Sequence, residues 1–221
     1  MRFQNAAKDA RAVTYEAIQR EPAVAEAAGL LVDAGLDQRV LARAVMTGES
    51  LDPEGWRTMF PTLFGPDADA AQRDRSEAIL AASLAIADRG DEVRNQLRGA
   101  LVESITEGLL TRRWGTEAVQ RERRILFDGV RAEIHPYDVT VEREGSSQAL
   151  DCKWGARGIN GDVLYQLDDA RTNAAAEEEP LRVAIVVFDA ERSCRVRLDR
   201  QTAPHESTQL IAFENLDALG T

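Results

Sequence analysis

The pattern of apolar and polar residues divides the chain into two parts. Over residues 1–94 the apolar residues recur at helical spacing and no segment alternates as a strand does, which predicts an all-helical region. Proline directly after Asp52, and the glycines Gly35 and Gly90, mark helix starts and breaks. The predicted helices cover residues 5–20, 22–34, 37–46, 52–60 and 70–88, with a loop at 61–69.

From about residue 95 onward, helical and strand patterns alternate. Long helices are expected over residues 91–113 and 161–176. Alternating or continuously apolar runs predict strands at residues 124–127, 130–134, 137–142, 150–154, 182–188, 194–198 and 209–213. We therefore expect an α+β protein with a helical domain at residues 1–94 and a second domain at residues 95–221.

Two strands joined by a tight turn are predicted for residues 136–154, because polar and apolar residues alternate in both halves of this segment. If the turn is centred on residues 145–146, Asp138 lies opposite Lys153. Asp138, Asp151 and Lys153 then point to one face of the sheet and their apolar neighbours to the other. A register shift of one residue would send the side chains of one strand to the opposite face.

Asp138, Asp151 and Lys153 form a pattern of two carboxylates beside an ammonium. Mg²⁺ takes one or two carboxylates and completes its shell with water and substrate phosphate. Lys153 could position or deprotonate an attacking water, or stabilise negative charge in the transition state, so the pattern favours phosphodiester hydrolysis. The alternative is a cross-strand ion pair on a solvated face. Lys8 and Lys153 are the only lysines beside many arginines, which favours the functional interpretation.

These residues resemble the PD-(D/E)XK, or restriction-endonuclease-like, nuclease superfamily. Asp138 matches the first acid of its motif, and residues 151–153 (Asp-Cys-Lys) match its Asp/Glu-x-Lys part. One difference is that Tyr137 stands between Pro136 and Asp138, so the literal Pro-Asp pair is absent.

The flanking segments extend the resemblance to residues 95–200. Upstream, Gly99 and Glu103 match a helix with the pattern Gly-x-x-x-Glu. Downstream, residues 161–176 and 182–188 match the helix and the strand that follow the motif. The order and spacing of these segments make the resemblance more specific than Asp-x-Lys alone.

The resemblance implies a restriction-endonuclease-like α/β/α core with a mixed central sheet that cleaves DNA with Mg²⁺ or Mn²⁺. It implies that Asp138, Asp151, Glu103 and the backbone carbonyl of Cys152 hold the metal and that Lys153 is the catalytic cation. By analogy it also suggests a role in anti-phage defence, restriction or repair.

Several acids and a histidine near this motif leave alternatives open. Glu103 lies away from an apolar stripe in its helix, a position typical of a surface acid, so its assignment depends on the resemblance. Glu107, one turn further on, is its substitute, and Glu133 is a rival of Asp138. His135 is either a base or ligand or, as is commoner, a solvent-facing or hydrogen-bonded residue. The stripe consists of Leu97, Leu101, Ile105 and Leu109.

The net charge of −11 is unusual for a protein that binds nucleic acid. Residues 111–124 are nevertheless locally basic, and we expect Arg112 and Arg113 to contact phosphates, unless they form only a solvated helix surface. Arg157, in a glycine-rich loop between a strand and a helix, is expected near the scissile strand. The resemblance adds Gln166 to these contacts.

The location of the protein is expected to be cytoplasmic. The first twenty residues carry charges throughout, and no run approaches 18 apolar residues, so we expect neither a signal peptide nor a membrane span. Two cysteines are too few for a disulfide framework, and no zinc-binding spacing is present.

The sequence therefore predicts a Mg²⁺-dependent nuclease with DNA as its substrate. The helical domain is expected to bind a protein partner or to self-associate. One alternative is a catalytically degenerate nuclease-fold subunit that its acidic helical domain recruits to a partner. Another is a mimic of nucleic acid that binds a basic partner without metal dependence.

Overall fold

A computed structural model of the chain describes residues 1–6, 10–48, 52–131 and 135–221. The chain forms two compact units. The helical unit is Val13–Ile105, and the sheet unit combines Met1–Ala12 with Thr106–Thr221. The sequence predicted a division after residue 94, whereas the structure divides the chain after Ile105, inside a continuous helix, and assigns the first twelve residues to the sheet unit.

The helical unit consists of helices in its described part. They are α1 (Ala10–Gln19) from Val13 onward, α2 (Pro22–Val32), α3 (Leu36–Thr47), α4 (Pro53–Met59), α5 (Pro61–Phe64), α6 (Ala70–Ala87) and the first part of α7 (Asp91–Trp114). The predicted loop at 61–69 contains the short helix α5. None of the helices in the described ranges is both long and apolar enough to cross a membrane.

Local capping and an aliphatic core explain these helices. Asp52 and Asp69 are the N-caps of α4 and α6, and each carboxylate accepts a hydrogen bond of 2.7 Å from a backbone N–H three residues on. Helices α2 and α3 pack against α6. Each buried aliphatic side chain in this core contributes about 1.5–3 kcal/mol. The most deeply buried are Val24, Leu31, Leu41, Met46, Ile79, Leu80 and Ile86.

The sheet unit contains a mixed sheet, as expected, and the α+β class is confirmed. Its described strands are β1 (Arg2–Asn5), β2 (Val119–Phe127), β3 (Val130–Arg131), β4 (Tyr137–Val141), β5 (Ser147–Lys153), β6 (Leu181–Val187) and β7 (Gln209–Ile211). Their order is β1-β2-β4-β5-β6-β7, and β3 pairs with β2. The strand pairs β1–β2, β2–β3, β2–β4 and β4–β5 are antiparallel, whereas β5–β6 and β6–β7 are parallel.

Helices connect the parallel strands. Helix α8 (Gly161–Ala176) joins β5 to β6, and α9 (Glu191–Leu198) joins β6 to β7. Such crossovers are required because parallel neighbours cannot be joined by a tight turn. On one side of the sheet, α8 packs its apolar residues against β6 and, less extensively, against β2. This cluster includes Leu164, Leu167, Ala170, Ala174, Ala149, Val183, Ile185 and Val187.

The prediction of a strand at residues 194–198 was wrong, because this segment lies in α9. Its residues alternate between apolar and charged, as a strand would. In the helix, Cys194 and Leu198 are one turn apart and buried, while Val196 is 46% exposed. The tertiary requirement for a crossover overrides the local alternation.

The first strand of the sheet was also missed. Residues 5–20 were predicted as one helix, whereas β1 pairs with β2 over four residue pairs, such as Phe3 with Ile125, and α1 begins at Ala10. The pairing partner lies about 120 residues further along the chain, so no local pattern indicates it. Of the strand predicted at 130–134, the structure describes β3, while residues 132–134 lie outside the described ranges.

Candidate active site

The turn between β4 and β5 sets the register of the two strands that carry the predicted site. Ser146 N donates to the carbonyl of Arg143, which makes Glu144 and Gly145 the central residues of the turn. Gly145 has a φ of +69°, which glycine adopts without strain and which tight turns favour at their third position. The turn is therefore centred one residue earlier than the sequence pattern indicated.

The register consequently differs from the expected one by two residues. Val139 lies opposite Leu150, so one step further along the strands Asp138 comes opposite Asp151 and not opposite Lys153. Because side chains alternate with a period of two, this shift leaves every side chain on its expected face. Asp138, Asp151 and Lys153 still meet.

Asp138 lies where the ladder between β4 and β5 ends. The last backbone pair is Val139 with Leu150, whereas β5 continues to Lys153 beside β6. Beyond this pair, the backbone N–H of Cys152 donates to Asp138 Oδ2 at 2.6 Å. A side-chain carboxylate thus takes the place of a ladder acceptor, which fixes its position at the end of the strands.

Asp151 and Lys153 form an ion pair on one face of β5. The side chain of Asp151 is 10% exposed and that of Lys153 is 26% exposed. Burial alone would lower the pKa of Lys153, but the carboxylates of Asp151 and then Asp138 outweigh it and raise the pKa above its usual range. Lys153 is thus an ammonium at neutral pH in this arrangement, suited to stabilising negative charge.

The loop between β5 and α8 lies against Lys153. Its residues Ala156–Gly158 form a turn of 3₁₀ helix. Asp189, which follows β6, anchors this turn because its Oδ2 accepts a hydrogen bond from Ala156 N at 3.0 Å. Gly158 contacts the aliphatic part of the Lys153 side chain. The loop therefore lies along the aliphatic part of Lys153, whereas the ammonium meets Asp151.

Gln166 holds the segment that leads into β4. Its side chain is buried on α8, where its Oε1 accepts a hydrogen bond from His135 N at 3.3 Å and its Nε2 donates to the His135 carbonyl at 3.1 Å. The structure thus uses this amide within the fold, and a contact between Gln166 and nucleic acid stays a prediction. His135 is exposed and acts here through its backbone.

Glu103 is buried in the helical unit, with 3% of its surface exposed, and is not the surface acid that its helical position indicated. Tyr15 OH donates to its Oε1 and Gln19 Nε2 donates to its Oε2 at 2.7 Å, so helix α1 covers it. The role of Glu103 as a metal ligand stays a prediction. Glu133, the rival of Asp138, lies outside the described residues.

Two arginines of the basic segment are used inside the sheet unit. Arg121 forms an ion pair with Glu107, the predicted substitute for Glu103. Arg123 binds Glu142 through two hydrogen bonds, Nε to Oε1 at 2.6 Å and Nη2 to Oε2 at 2.9 Å. These side chains stabilise the fold, and the carboxylate of Glu107 is paired with Arg121.

The arginines predicted to bind nucleic acid lie on the surface. Arg112 and Arg113 are exposed at the end of α7, and Arg157 is exposed in the 3₁₀ turn. The guanidinium groups of Arg113 and Arg143 lie 4.5 Å and 4.6 Å from the ring centre of Trp114. Trp114 therefore joins Arg113 and Arg143 in one basic cluster.

The capacity of the site for a metal depends on Asp138 and Asp151. Within the described ranges, no three side chains of His, Cys, Asp or Glu are close enough to hold a metal ion together. The two carboxylates at the strand ends match the one or two that Mg²⁺ uses. Asp151 Oδ1 is buried. Among the described residues it forms an ion pair with the Lys153 ammonium but accepts no hydrogen bond of regular geometry.

No protein-family model matches the chain, and no curated protein sequence matches it. Among solved structures, the chain is similar to protein VC1899 from Vibrio cholerae, with 16% sequence identity and a TM-score of 0.41. The similarity covers 99% of this chain and 56% of that chain, so this chain spans little more than half the length of VC1899. A likeness of this degree supports no conclusion about fold or function.

Asp189, Gly158 and Trp114 were not predicted from the sequence as site residues. Asp189 comes directly after a continuously apolar strand and Phe188, and an acid at the carboxyl end of a buried parallel strand was a usable signal. Gly158 belongs to the glycine-rich loop after β5, for which the sequence predicted only a place near the scissile strand, through Arg157. No local pattern links Trp114 to Arg143, which is 29 residues away in the sequence.

The charge pair at the site provides a stability test. Lys153→Met leaves the buried Asp151 carboxylate without its ion-pair partner, so we expect a loss of unfolding free energy on the order of 3 kcal/mol. The double variant Asp151→Asn/Lys153→Met removes both charges and should recover most of this loss. Urea denaturation at pH 7 measures both, with the exposed Arg192→Met as a control that should change stability little. Equal losses in the single and double variants would contradict the pairing.

Proposed function

We propose that the chain is a metal-dependent nuclease that hydrolyses DNA phosphodiester bonds. The observation that carries this proposal is the meeting of Asp138, Asp151 and Lys153 at the end of β4 and β5. Two carboxylates and an ammonium at one point combine ligands for a hard cation with a positive charge for a phosphate.

The order of the elements supports the same proposal. Helix α7 is followed by the antiparallel strands β2, β4 and β5, then by α8 and the parallel strand β6. This is the order that the resemblance to the PD-(D/E)XK superfamily implies. The first acid lies on the second of these strands, and the Asp-x-Lys triplet lies on the third.

The donor set fits a divalent metal. Asp138 and Asp151 would hold it, and Glu103 and the backbone carbonyl of Cys152 are the further ligands that the resemblance implies. Asp138 Oδ2 accepts the hydrogen bond from Cys152 N, which holds this carboxylate beside Asp151 at the end of the two strands. When bound, Mg²⁺ or Mn²⁺ supplies Lewis-acid polarisation of the phosphate and lowers the pKa of bound water.

The residues of the chain supply the positioning and the charge. The Lys153 ammonium, held beside Asp151, stabilises the negative charge that develops on the phosphate oxygens during attack by water. Cys152 N–H fixes the Asp138 carboxylate, so this ligand does not need to be ordered when substrate binds. Exposed Arg157 lies in the loop that follows β5 and is suited to contact the phosphate backbone of the DNA strand that is cleaved.

A second candidate is a catalytically degenerate nuclease-fold subunit that the helical unit recruits to a partner. The observation that favours it is an open groove of about 840 Å³ in the helical unit, whose lining includes Asp33, Asp37 and Asp69. A groove with this charge suits a basic segment of another protein. This candidate replaces the nuclease if the purified protein cleaves no nucleic acid with any divalent metal.

The nuclease proposal predicts metal-dependent cleavage that depends on Asp151 and Lys153. We expect cutting of plasmid or single-stranded DNA with Mg²⁺ or Mn²⁺ and none with EDTA. Asp151→Asn and Lys153→Arg should each lower the rate at least about 100-fold, because the first removes a carboxylate ligand and the second replaces a compact ammonium. The exposed Asp169→Asn is the matched control and should keep the full rate. Unchanged cleavage by Asp151→Asn would place the activity elsewhere.

Glu103→Gln tests the fourth residue of the proposed set. Glutamine keeps the shape of the side chain and an acceptor for Tyr15 or Gln19, so the helical unit should stay folded. We expect a loss of cleavage similar to that of Asp151→Asn, measured with the same substrates. A fully active, folded Glu103→Gln would show that Glu103 is only an internal polar residue of the helical unit.

The exposed arginines Arg112 and Arg113 at the end of α7 predict a salt-dependent interaction with DNA. Replacing both Arg112 and Arg113 by Gln should reduce the slope of log K against log salt by about 1 for each phosphate that the variant no longer neutralises. Binding of single-stranded DNA, measured by fluorescence anisotropy in EDTA at several salt concentrations, checks this without cleavage. The same change at exposed Arg192 of α9 should leave the slope unaltered. Equal slopes for the double variant and the wild type would exclude these arginines as phosphate-binding residues.

A further inference from the structure

Gly158 leaves the space that the Lys153 side chain occupies. A Cβ at Gly158 would lie 2.9 Å from Cβ and Cδ of Lys153, a distance that real Cβ atoms essentially never show, and 3.0 Å from its Cγ. These carbons belong to the part of the side chain next to the strand, which cannot swing away as a flexible end can. Any side chain at position 158 therefore displaces Lys153 or the loop.

The backbone itself would accept another residue at this position. Gly158 does not lie in the left-handed region, and it ends a turn of 3₁₀ helix that other residues also adopt. Its contact with Lys153 is therefore the feature that requires glycine here. An alanine at position 158 tests that contact alone.

The loop around Gly158 is anchored on both sides. Before it, Ala156 N donates to Asp189 Oδ2 at 3.0 Å. After it, the fully buried Ile159 accepts a hydrogen bond on its carbonyl from Arg197 Nε at 2.9 Å. These contacts hold the glycine against the lysine, so the surface that confines the side chain is rigid.

The ammonium at the other end of the confined side chain meets Asp151. Lys153 and Asp151 are two residues apart on β5 and share one face. A lysine side chain nevertheless has four rotatable bonds, so its ammonium can point in many directions. Contact along its first three carbons removes most of this freedom. The direction of the ammonium is thus decided by the loop and by the carboxylate together.

We propose that Gly158 is a positioning residue that confines the Lys153 side chain and directs its ammonium to Asp151. The catalytic consequence rests on the proposed nuclease function, whereas the placement of the ammonium does not. Asp189 acts indirectly, because it anchors the loop that contains Gly158.

Lysine NMR tests this placement directly, since Lys8 and Lys153 are the only lysines in the chain. Protein labelled with ¹³C at lysine Cε gives two lysine signals, and Lys8→Arg assigns them. Gly158→Ala should move the Lys153 signal towards the position of a freely solvated lysine. Gly161→Ala is the matched control, because its new Cβ would meet only Tyr165, at 4.0 Å, and the Lys153 signal should stay in place.

Kinetics provide the second readout. In a wild type that cleaves DNA, Gly158→Ala should lower kcat about 100-fold and leave KM nearly unchanged, the effect of a misplaced catalytic group. Gly161→Ala should leave both constants as they are. A loss confined to KM would overturn the assignment, because it would show a role in substrate binding.

The lysine spectra test the role of Gly158, and the activity tests the nuclease function, so the two proposals can fail independently. An unmoved Lys153 signal in a folded Gly158→Ala protein overturns the proposal. If Gly158→Ala does not fold, Asp189→Ala takes its place, since it removes the acceptor that holds Ala156 N and leaves Lys153 and Asp151 themselves unchanged, and an unmoved signal there overturns the proposal equally. A wild type without nuclease activity contradicts the proposed function, while the lysine spectra still decide whether Gly158 positions Lys153.

Discussion

The seven-residue parallel ladder between β5 and β6 is the constraint on which the candidate site depends. It runs from Ser147 beside Leu181 to Lys153 beside Val187, whereas the pairing of β5 with β4 ends at Leu150. Over its last residues, β5 is therefore held on one side only. The backbone N–H of Cys152, which points to the side without a partner strand, is taken by the Asp138 carboxylate. The site lies where one ladder has ended and the other continues.

The same ladder also decides what covers Lys153. Because β5 and β6 are parallel, the chain must return across the sheet through α8, and the loop before α8 must cross the end of β5. That loop brings Gly158 against the lysine side chain, and Asp189 at the end of β6 anchors it. The glycine and the acid thus act at the site because of the topology, although neither belongs to the motif.

The use of arginine and lysine in this acidic chain follows a physical division. Arg57 and Arg123 each bind a glutamate through two hydrogen bonds, a geometry that suits the planar guanidinium. Lys153 instead occupies a narrow space beside a glycine and presents a compact charge to Asp151. The guanidinium of an arginine is bulkier and prefers a planar fork of partners. The lysine at this position is therefore consistent with the space available as well as with the proposed chemistry.

The sequence by itself determined the helical and strand segments that local periodicity specifies, and it determined that Asp138, Asp151 and Lys153 share one face. The register was mispredicted by two residues, yet the face was right because the period of a strand is two. Only the tertiary structure decided the pairing of β1 with β2, the helix at Glu191–Leu198 and the burial of Glu103 under α1. These features depend on partners far away in the chain, and local patterns contain no information about such partners.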